Sequence, residues 1–341
     1  VSLPGAPAVA PGVPSSAAPA APGGPRRVLA VTKGHGTRND FVLLVDPAGE
    51  VALTPGAVRA LADRRGGVGG DGVIRVVGSG HLPEGAAALA DDPAATLFMD
   101  YRNADGSVAE MCGNGVRVTA ALLERHGLWD AALGDLALGT RAGVKRVRRV
   151  APPAAAGPSG DPWYAVDMGA WRLPGGDAAA RAGGDAEVLV AGLPVARPAL
   201  SVDLGNPHTV LALAGEDELV AADLREAPQV VPVPPAGTNT ELVVPLGELE
   251  DPVLGTVGRV RMRVHERGVG ETPSCGTGAC AAALAVRTWA GAGAPSTWLV
   301  DVPGGTVLVT ARPDGHVELA GPAVLVAEAD VDLGVLEAAD R

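Results

Sequence analysis

Two cysteines, Cys112 and Cys275, stand at the head of the same short pattern: Cys112-Gly-Asn-Gly and Cys275-Gly-Thr-Gly. With 48 glycines in 341 residues, an arbitrary cysteine is followed by Gly-x-Gly with a chance of about 0.02. Two of three doing so by accident is on the order of 0.001 on composition alone. Inverting a carbon centre by proton transfer needs an acid and a base on opposite faces, and the reverse reaction exchanges their roles. A pair of like groups meets that demand, and cysteine can act both ways because its reference pKa of about 8.5 lies near neutral. The glycines allow a tight turn and bare successive N–H groups where a helix begins, a setting that favours an anion, whether thiolate or substrate carboxylate. The alternative for either cysteine alone is an inert buried thiol beside helix-starting glycines. The third, Cys280, lies in an alanine run and reads as a small core residue.

The polar residues around the pair are few. The chain has only five asparagines, Asn39, Asn103, Asn114, Asn206 and Asn239, and each falls in a glycine-flanked or turn-like motif. An amide offers donor and acceptor without net charge, which suits holding both ends of a zwitterion, although asparagine also favours turns for purely conformational reasons. His208 follows Asn206-Pro, and Glu266-Arg267 ends the strand-like run from Arg261. A neighbouring His or Glu can take a thiol proton, and the Arg267 fork can pair with a carboxylate. The same residues also read as a satisfied core histidine and a surface ion pair.

These landmarks recur in order, which is the signature of an internal repeat. Gly36-Thr-Arg-Asn-Asp-Phe, Gly69-Gly-Asp-Gly and the Cys112 turn are followed by Gly205-Asn-Pro-His, Gly237-Thr-Asn-Thr-Glu and the Cys275 turn. From Asn39 to Cys112 is 73 positions and from Asn206 to Cys275 is 69. Two copies of one unit would place the cysteine turns symmetrically about one ligand.

The elements that must position them are short β-type runs: Phe41–Asp46, Val73–Val77, Thr96–Tyr101, Trp163–Met168, Thr209–Leu213, Glu241–Pro245, Val260–His265, Trp298–Val302 and Val307–Ala311. Asn114–Arg125 and Thr277–Ala290 read as helices, apolar nearly all round and therefore central. Ala151–Pro162, Pro174–Asp185 and Ala227–Gly237 read as loops, the first as the crossing between domains. Residues 1–27, almost all Ala, Pro, Gly, Val and Ser, read as a disordered tail without the basic leader of a secretory signal. The domains expected are thus 28–150, completed by 321–341, and 151–320.

Composition excludes several classes. A net charge of −12 lacks the footprint for nucleic acid or an anionic membrane surface. Mean hydropathy is +0.21, yet no stretch approaches the roughly 18 uninterrupted apolar residues of a spanning helix, and a cytoplasmic protein is expected. Three cysteines without a Cys-x-x-Cys pair are not a disulfide framework or a zinc motif. With 3% aromatic residues, the core must be built from Val, Leu and Ala.

Taken together, Gly34-His-Gly-Thr-Arg-Asn-Asp-Phe, Arg102-Asn-Ala-Asp-Gly-Ser-Val-Ala-Glu-Met-Cys-Gly-Asn-Gly, Gly205-Asn-Pro-His, Glu266-Arg-Gly-Val-Gly-Glu-Thr and Ser274-Cys-Gly-Thr-Gly-Ala-Cys resemble the diaminopimelate epimerase family, from about Val28 to about Ala329. The resemblance implies an α+β fold of two pseudo-symmetric domains, each a curved, mostly antiparallel sheet wrapped around a central helix. It also implies a homodimer, and interconversion of LL- and meso-2,6-diaminoheptanedioate without pyridoxal phosphate, metal or other cofactor, for lysine and peptidoglycan synthesis. Carried over by motif, Cys112 and Cys275 are the acid/base pair, with His208 and Glu266 tuning them. Asn39, Asn103, Asn206, Asn239, Glu266 and Arg267 hold the amino-acid substrate, and Gly113-Asn114 and Gly276-Thr277 supply backbone amides. Which base serves which thiol stays open. Gly72 departs from the family, many of whose members have Gln there, so that contact to the distal part of the substrate must be absent or come from water or backbone. Other readings are a proline-racemase-like isomerase of the same fold, a thiol redox or metal-binding protein, and a non-catalytic amino-acid-binding module.

Overall fold

The computed structural model describes residues 28–157 and 160–332, with 334 and 336; the expected tail at 1–27 lies outside them. The first copy of the repeat runs through β1 (Val28–Gly36), β2 (Asn39–Asp46), α1 (Pro55–Ala62), β3 (Gly72–Gly78), α2 (Pro83–Asp91), β4 (Leu97–Asn103), α3 (Gly113–Arg125), β5 (Leu136–Thr140), β6 (Gly143–Val150) and β7 (Trp163–Ala170). The chain continues with α4 (Gly176–Ala182), β8 (Ala186–Leu189), β9 (Arg197–Asp203), β10 (Pro207–Ala212), α5 (Glu216–Ala221), β11 (Gln229–Val231), β12 (Asn239–Asp251), β13 (Gly255–Glu266), β14 (Gly270–Thr272), α6 (Gly276–Ala290), β15 (Thr297–Val302), β16 (Gly305–Ala311), β17 (His316–Pro322) and β18 (Val324–Asp332).

Strand pairing repeats as the motifs do. In the first copy β1–β2 is antiparallel, β2–β3 parallel, β3–β4 antiparallel, β4–β5 parallel, and β5–β6 and β6–β7 antiparallel. The series β9, β10, β12, β13, β15, β16, β17 pairs in the same sequence of senses. A parallel pair needs a crossover, and α3 and α6 supply the equivalent ones, between β4 and β5 and between β13 and β15. The two copies then exchange edges: β8 pairs with β9 as β18 pairs with β1, and β7 pairs with β17. This is the expected α+β arrangement, mostly antiparallel with four parallel pairs.

Each crossover helix is wrapped by its own strands. Gly113 to Leu123 of α3 are all buried, as are Gly278 to Val286 of α6. A helix without a polar face can persist only if strands cover it all round. The main core is correspondingly Val, Leu and Ala, with Ala279, Ala281, Ala282, Ala283 and Ala285 all within it. No helix among the described residues is long and apolar enough to cross a membrane.

Two expectations need correction. The Pro174–Asp185 stretch contains α4, a turn of alanines anchored where Trp289 Nε1 donates to the Gly183 carbonyl (2.8 Å). Ala227–Gly237 contains β11, three residues that find a partner in β8. The alanines of α4 favour a helix that the flanking Pro and Gly residues obscured, whereas β11 is a strand because β8 pairs with it.

Among the described residues the β1–β2 turn is the one place where non-glycine backbone enters the left-handed region: Thr37 has φ 49° and Arg38 φ 66°. For a β-branched residue this is strained. The surroundings hold it there, since Thr37 is buried, its hydroxyl lies 2.6 Å from Ser274 Oγ, and a Cβ on Gly304 would stand 1.8 Å from its carbonyl oxygen. The turn of one copy is thus clamped against the loop that leads to Cys275 in the other.

The wrapping predicts that Leu122→Ala, at a fully buried position, lowers stability by about 2–5 kcal/mol. Leu133→Ala, at an 86% exposed position, changes it by under about 0.5 kcal/mol. Urea unfolding followed by circular dichroism reads the difference.

Candidate active site

Cys112 and Cys275 are the N-caps of α3 and α6, both in extended backbone. Neither helix starts with the usual Ser, Thr, Asp or Asn; at α6 the thiol sulfur itself accepts from the Gly278 amide at 3.3 Å. The two helix starts meet head to head, as a Cβ on Gly276 would lie 3.6 Å from Gly113 Cα. The N–H groups of both first turns therefore gather in one place, the Gly278 amide turned to the Cys275 sulfur and the Asn114 and Gly115 amides to that of Cys112. The other glycines of the motifs admit neighbours. A Cβ on Gly115 would strike Met99 (2.9 Å), and one on Gly278 would strike the Glu241 carboxylate (2.8 Å).

Around Cys112 the polar contacts are amides. Its Sγ donates to Asn39 Oδ1 (3.4 Å), which also accepts from Asn114 Nδ2 (3.3 Å), while Asn39 Nδ2 donates to Asp71 (2.8 Å). Asn114 reaches across to the Ser274 carbonyl (3.2 Å), so one asparagine side chain ties the two cysteine turns together. Around Cys275 the contacts are acidic. Glu266 hydrogen-bonds with Cys275 and accepts from Thr272 Oγ1. Thr277 Oγ1 lies 3.6 Å from the sulfur and accepts from Asn206 Nδ2 (3.2 Å). Asn206 Oδ1 in turn lies 3.1 Å from His208 Nε2, and His208 Nδ1 lies 2.7 Å from Glu241 Oε1.

Burial governs the protonation of the two thiols and of Glu266 and Glu241. It pushes the Cys112 thiol up to about 11, with the Glu266 charge adding to the rise and the Gly115 and Asn114 amides offsetting part of it. Cys275 is pushed further above the ordinary thiol range, by burial and then by Glu266 and Glu241. Glu266 and Glu241 are themselves raised by burial, partly countered by Thr272 and Cys275 for the first and by His208 for the second. Two raised carboxylates and two thiols held in their protonated form thus share a buried site, His208 faces Glu241, and a cation entering beside Glu266 would favour its charged form.

The expected site residues fall into two groups. Asn39, Cys112 and Asn114 meet at the α3 turn; Asn206, His208, Glu266, Thr277 and Cys275 meet at the α6 turn, with Gly113 and Gly276 between. Asn239 pairs in register with His208 and accepts from the Arg267 backbone amide (2.9 Å), while the Arg267 guanidinium donates to the Ala236 carbonyl. Asn103 donates to Ser107 Oγ (3.0 Å) at the end of β4, and among the described residues no hydrogen bond of its side chain reaches either thiol. Sequence reasoning did not single out Glu241, Asp71, Ser274 or Thr37. Glu241 was within reach, since it stands two positions after Asn239 on a strand and so shares its face. Cys280 is fully buried, as expected, and burial lifts it to about 12.

At Gly72, where a Gln was anticipated on resemblance, no side chain fits. A Cβ there would meet the Arg102 carbonyl at 2.4 Å and Tyr101 Cε2 at 2.6 Å. The Tyr101 ring, set edge-on to Phe41 with centroids 5.7 Å apart, occupies the space beside the β3 backbone.

Comparison with known proteins agrees with the geometry. The family model described as diaminopimelate epimerase matches residues 31–148 and 200–326. The chain is 46% identical over 316 residues to the diaminopimelate epimerase of Streptomyces coelicolor, covering 91% of this chain and 97% of that one. It is 44% identical over 310 residues to that of Thermobifida fusca, covering 89% and 98%. Among solved structures, a phenazine biosynthesis protein of the PhzF family from Bacillus anthracis matches with a TM-score of 0.56 at 17% identity, covering 89% and 99%. A hydroxyproline epimerase from Agrobacterium vitis, solved with bound trans-4-hydroxy-L-proline, gives 0.56 at 14% identity, covering 90% and 91%. These two likenesses concern the fold.

The raised thiols make a signed prediction. In the unfolded chain Cys112 ionises near 9, whereas in the fold it stays protonated to about 11. Its contribution to stability is complete below the unfolded value and is lost as pH rises through the folded one. Denaturant unfolding between pH 8.5 and 11 will show falling stability, with a shallower slope in Cys112→Ser.

Proposed function

The chain belongs to the diaminopimelate epimerase family, and on that premise we propose that its activity, the epimerisation of LL-2,6-diaminoheptanedioate to the meso form, runs through Cys112 and Cys275 acting from opposite faces of the α-carbon. The observation that carries this reading is the head-to-head meeting of two cysteine-capped helix N-termini. The α-carboxylate of the substrate lies against the first-turn amides of α3 and α6. Negative charge that builds on it as the α-hydrogen leaves is stabilised there by dipoles already in place. One thiolate takes the α-hydrogen, and the opposite thiol gives its own to the other face, so each turnover leaves the two sulfurs with exchanged protonation.

A thiol must first lose its proton. Glu266, hydrogen-bonded to Cys275 and raised by burial, is the acceptor there: the S–H proton passes to the carboxylate, giving thiolate and carboxylic acid. His208 acts behind it, with Glu241 fixing its ring. The substrate ammonium supplies a cation beside Glu266, which supports an amino-acid substrate and makes ionisation easier once substrate is bound. Asn39, Asn206, Asn239 and Arg267 hold the rest of the substrate, with Asn103 at the mouth of the β4 turn. The division into a half of residues 28–150, completed by 321–341, and a half of residues 151–320 is part of the same proposal. So are a homodimer and a cytoplasmic location, which rest on resemblance and which sedimentation and cell fractionation test.

The test is proton NMR of LL-diaminopimelate in D₂O with reduced enzyme. The α-hydrogen signal should disappear as the meso form accumulates. Cys112→Ala and Cys275→Ala should each slow turnover by roughly 10²–10⁴-fold or more. Normal turnover in either variant overturns the two-thiol reading, and binding without exchange in the wild type overturns the activity.

A further inference from the structure

Arg117 sits in the middle of the apolar run of α3 and is 0% exposed. Among the described residues no carboxylate pairs with it. Its Nη2 donates to Asn114 Oδ1 (2.8 Å) and Thr37 Oγ1 (3.4 Å), and its Nε and Nη1 are buried without a hydrogen-bond partner. Room for the guanidinium comes from two glycines, as a Cβ on Gly36 would lie 3.0 Å from Nη2 and one on Gly321 3.0 Å from Cζ. The titratable groups that act on it are the Cys112 thiol and, from α6, the Cys280 thiol. What β1 and β17 set against it are those glycines. Burial lowers it only to about 10, so it is a cation at neutral pH. A buried charge without a counter-ion is costly, which asks for a reason to keep it.

The hydrogen bonds supply one. A guanidinium only donates and a carboxylate only accepts, so the chain from Arg117 to Asp71 reads one way. Arg117 fixes Asn114 Oδ1, which turns Asn114 Nδ2 toward the Ser274 carbonyl (3.2 Å), Ser274 Oγ (3.3 Å) and Asn39 Oδ1 (3.3 Å). At the far end Asn39 Nδ2 is held by Asp71 Oδ2 (2.8 Å). The Asn39 oxygen that faces Cys112 is therefore set from both sides, and the same chain reaches the residue before Cys275.

We propose that Arg117 is a positioning residue for both cysteine turns: it orients Asn114 and Asn39, keeps the turns in register, and is the standing positive charge against which negative charge at Cys112 develops. The proposal rests on the two-thiol reading, but its deciding readout, the pH midpoint of each thiol, needs no substrate. It makes the thiols unequal. Cys112 faces Arg117, the Asn114 and Gly115 amides, Glu266 and the Tyr101 phenol, whereas Cys275 faces Glu266, Glu241, the Thr277 hydroxyl and the Gly278 amide.

The experiment follows iodoacetamide alkylation of each thiol by peptide mass spectrometry from pH 7 to 11, in reduced wild type, Arg117→Gln and Arg117→Lys, with thermal unfolding and kcat and KM alongside. In the wild type Cys112 should react with a lower pH midpoint than Cys275. Arg117→Gln should raise the Cys112 midpoint by about one pH unit, leave that of Cys275 nearly in place, and lower kcat roughly tenfold or more with a smaller change in KM. Arg117→Lys, which keeps the charge, should restore the midpoint. Three results overturn the proposal: Cys275 reacting first in the wild type, a folded Arg117→Gln with an unmoved Cys112 midpoint, or an equal shift of both thiols. Should Arg117→Gln not fold, the wild-type order and the Arg117→Lys midpoint decide. If both thiols behave as expected while the NMR shows no epimerisation, the proposed activity fails and the role of Arg117 stands.

Discussion

The rest of the structure depends on bringing two helix N-termini together, glycine against glycine, with the Leu319 side chain packed on both. Such ends repel, since each gathers unpaired N–H groups of the same partial charge. The fold holds them by wrapping each helix in its own strands and then exchanging edge strands, so that neither half can back away without breaking the β7–β17 and β1–β18 ladders. The strained Thr37 turn, clamped by Ser274 and Gly304, belongs to the same constraint. A site that stabilises an anion is what remains when the repulsion is held but not relieved.

Alanine makes the wrapping feasible. A helix buried on all sides by strands must be slender, and the α6 run from Ala279 to Val286 presents mostly methyl groups to its surroundings. The low aromatic content follows from this geometry, since few rings fit between a central helix and a sheet that curves around it. Where large polar groups are buried elsewhere, they are compensated: Asp100, fully buried, is met by Arg75, Arg102 and Arg141. That contrast marks the cluster of Glu241, Glu266, Cys112 and Cys275, where His208 faces Glu241 and Arg117 acts on Cys112 but, among the described residues, no guanidinium pairs with either carboxylate, as the place where stability yields to chemistry.

The two halves repeat a backbone but not an electrostatic environment. Position for position the Cys-Gly-x-Gly turns match, yet neutral amides and a guanidinium join Glu266 around one thiol, and Glu241 and the Thr277 hydroxyl join it around the other. An exchange reaction that must run in both directions needs equivalent geometry, whereas its resting state needs one group to hold the proton. The duplicated fold serves the first need and the divergent side chains serve the second.

How much was legible beforehand follows from where each kind of information lies. The paired Cys-Gly-x-Gly turns, the five asparagines in turn motifs and the two apolar helices are local patterns, and the sequence by itself determined them and, through the repeat, the doubling of the fold. The nine strands read from β-branched runs are all present. Those passed over, such as the arginine-rich β6 and the glycine-containing β1, are strands only because a neighbour pairs with them. Tertiary structure alone decided the rest. It set Glu266 on Cys275, put Glu241 behind His208, filled the space beside Gly72 with Tyr101, and buried Arg117 between two glycines from distant strands. A pattern along a chain records which groups are available; which of them share a dry volume, and so shift one another's protons, depends on contacts between residues far apart in sequence, which no local periodicity encodes.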